Sequence, residues 1–240
     1  MQRIIAAFLL VATSAAWPAF AQEFGMFVGA VRSEWLEDGR RMRLLAPFTY
    51  IDPTGLEWHA HAGWIVDGAS IPRFAWSLMG GPFEGKYRNA SVIHDVACDQ
   101  QIRPWESVHE AFYWAMRASD VEPIQAKIMY AVVYHFGPRW PRRVQLDGIP
   151  MSGVDAEIRR VQSEVDPRNR AYVAAIRPRS RTPDEVLSNQ PERADVTIDV
   201  TPTTSALEGH DLYDLMARIE QREASARGPM SLEEIRDFAP

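Results

Sequence analysis

The sequence predicts an α+β fold, an antiparallel sheet of short strands followed by three main helices packed on one face of it. Three observations carry this reading. Two turn signals divide the apolar runs before residue 66, helical periodicity takes over from residue 89, and the large aromatics crowd into the same stretch. Strands first and helices after are the pattern of helices segregated to one side of an antiparallel sheet.

In chain order, Gly29 to Trp35 and Arg41 to Phe48 flank Glu37-Asp38-Gly39-Arg40, and Asp-Gly between apolar runs signals a hairpin. Phe48 to Ile51 and Leu56 to Val66 flank Asp52-Pro53-Thr54-Gly55, where Pro and Gly stand as a turn requires. Within the second run Trp58, Ala60, Ala62, Trp64 and Val66 alternate with His59, His61 and Asp67, so one face is apolar and the other polar. Asn89 to Gln101 carries Ala90, Ile93, Ala97 and Cys98 at helical spacing. Pro104 opens a second helix with Trp105, Val108, Phe112 and Ala115 inward. Pro123 opens a third, with Ile124, Ile128, Ala131, Val132 and His135 on one face and Gly137-Pro138 ending it.

Composition shifts near Pro150. All eight Trp precede Arg142, and from Met151 the aromatics are Tyr172, Tyr213 and Phe238. Large aromatics supply much of a core's buried area, so residues 23–150 read as the folded domain. Residues 151–240 hold seventeen acidic and twelve basic residues around Pro- and Thr-rich stretches, which reads as a largely disordered acidic tail with short amphipathic helices. Those helices are marked by Val154, Ile158, Val161 and Val165, by Leu212, Leu215, Met216 and Ile219, and by the Ser231/Glu234 capping box. Neither part carries a basic stripe, which speaks against a nucleic-acid partner.

The amino end begins Met1-Gln2-Arg3, continues through an apolar run from Ile4 to Ala12, and reaches Ala19-Phe20-Ala21 before Gln22. Those are the parts of a secretory signal peptide over residues 1–21. The run is shorter than the roughly 20 residues of a spanning helix. Export to the periplasm or beyond is the expectation, with no transmembrane segment after cleavage; an uncleaved anchor is the alternative. Cys98 is the single cysteine, so no intramolecular disulfide staples the exported chain.

Ala62-Gly-Trp-Ile-Val-Asp67-Gly-Ala-Ser-Ile-Pro-Arg, then Gly85-Lys-Tyr87-Arg-Asn-Ala90-Ser-Val-Ile-His94-Asp95, resembles the bacterial and phage domain-of-unknown-function family 1353. That family's pattern is a strand ending in Asp-Gly-Ala-Ser-x-Pro, a Gly and an aromatic, then a helix bearing His-Asp. The resemblance covers roughly Phe24 to Trp140 and implies the domain's extent, but it brings no activity. The family pattern has Tyr where this chain has Cys98, and an acidic residue where it has His109.

The candidate polar site is Asp67, His94 and Asp95. A partly buried His beside a carboxylate is placed to act as a general base near neutral pH, and a His-Asp pair can ligate a metal given further ligands. In that reading Asp67 and Asp95 position a divalent metal or a water, and His94 is the base. The structural alternatives are that Asp67-Gly68-Ala69-Ser70 makes a turn and helix cap, and that Asp95 ties Tyr87, Arg88 or Arg73 to its helix. Secreted phospholipases A2 and His-Asp phosphohydrolases use similar residues, but the cysteine-rich calcium loop of the former and the all-helical fold of the latter have no counterpart here, so the likeness is one of chemistry. His59 and His61 form His-x-His on a strand, a geometry able to chelate zinc. His109 reads as a core-edge histidine, His135 as a helix-terminal cation, and Cys98 as a small buried hydrophobe. The expected function is a His/Asp-based, metal-assisted hydrolase acting on an envelope component such as a lipid, a peptidoglycan piece or a small ester. The rival is a non-catalytic binding or scaffold module that meets a protein partner through its Trp residues and tail.

Overall fold

The computed structural model describes residues 23–68, 83, 85–203 and 207–238. The signal-peptide reading of residues 1–21 and the roles considered for Ala69, Ser70, Ile71, Pro72 and Arg73 lie outside the described residues.

Two small antiparallel sheets form first. One has the order β1 (Met26–Val28), β4 (Phe48–Ile51), β5 (Glu57–Ala60), and the other β2 (Ser33–Trp35), β3 (Met42–Leu44), β6 (Ile65–Val66). Both anticipated turns are present, each built by an aspartate. Asp38 Oδ1 accepts the amides of Arg40 and Arg41 at 2.9 Å, and Asp52 Oδ1 accepts those of Thr54 at 2.9 Å and Leu56 at 3.0 Å. The run from Trp58 to Val66, read as one strand, is two strands in different sheets. Gly63 at φ +90° turns the chain between them; its amide donates to Leu44 O at 2.7 Å, and Leu44 N donates to Trp64 O at 2.8 Å. Ala62 and Gly63 offer no branched side chain to hold a strand, and glycine adopts this left-handed φ at no steric cost.

The three main helices are α1 (Arg88–Gln100), α2 (Trp105–Ala118) and α3 (Pro123–Phe136). Helix α1 packs across β5 and β6, α2 against α1, and α3 against α2. Pro123 occupies the first helical position of α3, where its missing N–H leaves no bond unmade. Residues 126–135 of α3 are all buried, although one apolar face was expected. The covering of its second side comes from α6 (Gly209–Glu223) and α7 (Leu232–Arg236), whose Leu212, Leu215, Ile219 and Ile235 join the same core with Phe238 just beyond α7.

The expectation of a largely disordered tail is therefore corrected. Residues after 151 also supply α4 (Val154–Glu164), β8 (Asn169–Pro178), α5 (Pro183–Leu187) and β9 (Arg193–Pro202). With β7 (Arg142–Pro150) the two strands form a third antiparallel sheet of order β7-β9-β8. Ala194, Val196, Ile198 and Val200 alternate with polar residues along β9 and meet Val154 and Val161 of α4 in a second, aliphatic core. The physical reason is that strict alternation lets a strand bury half its side chains while its composition still looks polar. Seven α-helices stand among the described residues, and none is long and apolar enough to cross a membrane.

Candidate metal centre

Positions 94 and 98 lie one turn apart on α1, so their side chains share a face. That face looks at α2, and His109 stands opposite. His94 is 1% exposed and His109 0%. His94 Nε2 lies 2.8 Å from His109 Nδ1, and Cys98 Sγ lies 3.7 Å from His94 Nε2 and 3.8 Å from its Nδ1. His109 Nε2 is 3.1 Å from Pro138 O, a bond it can make only as donor. Its Nδ1 is then the acceptor, and His94 Nε2–H donates to it. Burial holds the His94 imidazole down at about pKa 3. Burial first, then the charges of His94 and Arg139, holds His109 well below the usual histidine range. Both rings are neutral at pH 7.

Side chains of neighbouring helical residues diverge by about 100°. Asp95 accordingly faces away from this pair and toward the end of β6. Its Oδ2 accepts the amide of Asp67 at 2.6 Å and that of Gly68 at 3.1 Å, fastening α1 to the strand. Burial raises the carboxyl to about pKa 6, against the pull of the two amides; Asp67 and Asp99 add to the rise. The Asp67 carboxylate, half exposed, forms an ion pair with Arg40 at 3.0 Å. The three anticipated site residues thus adjoin through backbone and helix while their functional groups face three separate partners: an imidazole, two amides and a guanidinium. Of the partners considered for Asp95, Arg88 donates instead to Phe83 O at 2.9 Å.

His59 and His61 do point to one side, their rings 6.1 Å apart and stacked. They sit at the surface, with His59 held between Thr49 Oγ1 at 3.0 Å and Glu57 Oε2 at 3.1 Å. The two line a cavity of about 160 Å³ with Trp58, Ile93 and Arg103; His94 is not among its lining residues. His135 is buried and bonds Ile235 O at 2.8 Å, with burial lowering it to about pKa 4, so it is a neutral core donor and not a helix-terminal cation.

Among the described residues one group brings three metal-capable donors together, His94, Cys98 and His109, all within 4.8 Å of one another. The sequence points to each of the three separately, with His94 paired to Asp95, Cys98 read as a buried hydrophobe and His109 as a core-edge histidine. The signal was available: His109 lies between Val108 and Phe112 on the inward stripe of α2, where a ring nitrogen needs a partner and α1 offers one.

Residues 42–133 match the family model described as Protein of unknown function (DUF1353), the family to which the two motifs pointed. Two curated relatives from Sinorhizobium fredii are similar to the chain. Uncharacterized protein y4jT is 39% identical over 141 residues, 58% of this chain and 42% of that protein. Uncharacterized protein y4iH is 42% identical over 103 residues, 43% of each. The matched stretch thus spans less than half the length of either relative. No solved structure matches the chain.

Proposed function

We propose that this chain is an exported metal-binding protein whose centre is the buried triad His94, Cys98 and His109. The observation that carries the reading is the convergence of three donor atoms from two helices within 4.8 Å, in a core otherwise lined by aromatic rings. The outer nitrogen of His109 supports it. Ligating imidazoles commonly donate their second N–H to a carbonyl, and the Pro138 carbonyl aims Nδ1 at the other two donors. Export is supported by the charged, apolar and small-residue order of residues 1–21.

The geometry supports this better than the hydrolytic arrangement of His94 as base with Asp67 and Asp95 on a metal or water. Asp95 is committed to two amides and Asp67 to Arg40, and the cavity beside α1 is not lined by His94. A binding or scaffold module remains compatible with a metal that serves only to hold α1 to α2.

The test is the metal content of the full chain after purification without chelators. About one transition-metal ion per chain is expected, lost in His109→Ala and Cys98→Ser. A wild-type chain that takes up no transition metal, even when refolded with one, would remove the proposal.

A further inference from the structure

We infer that the His94–Cys98–His109 centre is built for a monovalent soft cation, copper(I), in preference to zinc; this rests on the metal-binding reading above. Charge decides between the two. Bound to an ion, the triad offers two neutral imidazoles and one thiolate. A divalent ion leaves one uncompensated positive charge between residues that are 1% and 0% exposed, whereas a monovalent ion leaves none. Uncompensated charge in a dry interior is among the costliest arrangements a protein can hold.

Zinc would need a second anion. No carboxylate belongs to the cluster among the described residues, and Asp95 accepts from the two amides on the other side of α1. The Arg139 guanidinium lies 4.6 Å over the ring of Trp105, which itself neighbours His109, and a second net positive charge there would be repelled. The rings of Phe112, 4.6 Å from the His94 ring, and of Trp105, 5.6 Å from that of His109, make an apolar surround suited to a neutral centre.

Donor type and spacing admit copper(I). Thiolate sulfur binds copper(I) as it binds zinc, so the discrimination rests on charge. Metal–ligand lengths of about 2.0 Å to nitrogen and about 2.3 Å to sulfur set donors roughly 3.3 to 3.7 Å apart. The 3.7 Å between Cys98 Sγ and His94 Nε2 meets this already. The two imidazoles, 2.8 Å apart while they share a proton, would open by roughly half an ångström. On binding, the thiol proton leaves to solvent and His94 moves its own from Nε2 to Nδ1, so one proton is released per ion.

The experiment titrates the metal-free, reduced full chain under nitrogen with copper(I) held by a chromophoric chelator, and in parallel with zinc. One equivalent of copper(I) is expected, retained through desalting against excess zinc, with X-ray absorption reading one sulfur and two nitrogens. Cys98→Ser should weaken copper(I) by more than the roughly 100-fold that losing an outer-shell partner costs, at unchanged circular dichroism. If that variant fails to fold, His109→Gln serves in its place. Zinc displacing copper, or a four-coordinate copper site, would overturn the preference while leaving the metal-binding reading intact. Uptake of neither ion would overturn that reading itself.

Discussion

The helical core and the third sheet solve the same problem with different materials. Around α1, α2 and α3, large rings enclose several partnered polar groups: His94 with His109, His135 with Ile235 O, Asp95 with two amides. In the sheet β7-β9-β8 the interior is aliphatic and the charges stay outside, as in the Arg143–Asp199 pair. The difference teaches where specificity comes from. A buried polar pair admits one geometry, because any other leaves a donor or acceptor unmet. An aliphatic layer is specified only by alternation along a strand.

The largest effects should come from removing bulk at each centre. Phe112→Ala, beside the His94 ring, should cost about 4 kcal/mol, and Ile198→Ala on β9 about 3 kcal/mol. Every Trp lies before Arg142, so fluorescence reports the first region and far-UV circular dichroism the whole chain. Coincident melts in both variants would show one cooperative unit. Separate melts would show that the helical core, α6 and α7 included, and the sheet β7-β9-β8 with α4 unfold independently.

Acid comes next. His94 at about 3 and His135 at about 4, with His109 shifted the same way, are depressed below their unfolded value near 6.5. Their stabilisation is complete above pH 6.5 and is lost as pH falls toward 3. Asp95, raised to about 6, runs the other way, because stability is regained as pH falls from 6 to 3.8. Asp99 and Glu106 are raised too and act with Asp95, but both are less buried than the three histidines, so the helical core should lose stability between pH 6.5 and 4, by a few kcal/mol. Hydrogen exchange at pH 7 and 4.5 would check this. Earlier opening of β9 than of α1 on acidification would break the contrast.

A smaller effect separates two substitutions of one residue. Both amides bonded by Asp95 use a single oxygen, Oδ2. Asp95→Asn keeps that acceptor and drops a buried charge, so its melting temperature at pH 7 should equal or exceed that of the parent. Asp95→Ala leaves two donors unmet and should cost about 2 kcal/mol. Equal losses from both would mean that the charge, and not the acceptor, holds α1 to β6. The smallest effect belongs to Arg143→Ala, whose exposed ion pair with Asp199 should leave the melting temperature unmoved.

Much of the first region was legible because its signals are local. Asp38-Gly39 and Asp52 to Gly55 mark turns by their own chemistry, and Pro104 and Pro123 mark helix starts. What escaped was set by distance. Nothing near Met129 or Tyr130 says that Leu212 and Leu215 will cover α3, and the stripe of α2 says that His109 points inward without saying which residue of α1 it meets. The β9 alternation Ala194, Val196, Ile198, Val200 was written plainly, but its Asp, Thr and Pro neighbours lowered the mean hydropathy and hid it. In the site, the His-Asp pair drew attention as a unit, although the helix turns its two members toward different neighbours.

The bond from His135 to the carbonyl of Ile235 spans 100 positions of chain, and α3 needs α6 and α7 to cover its second side. A ribosome adds roughly 5–20 residues per second, so α3 emerges about 5 to 20 seconds before its cover exists. During that interval the apolar side meant for Leu212, Leu215 and Ile219 is bare. A nascent chain in that state exposes surface of the aggregation-prone kind, and its timetable is set by residues far downstream of the helix they protect.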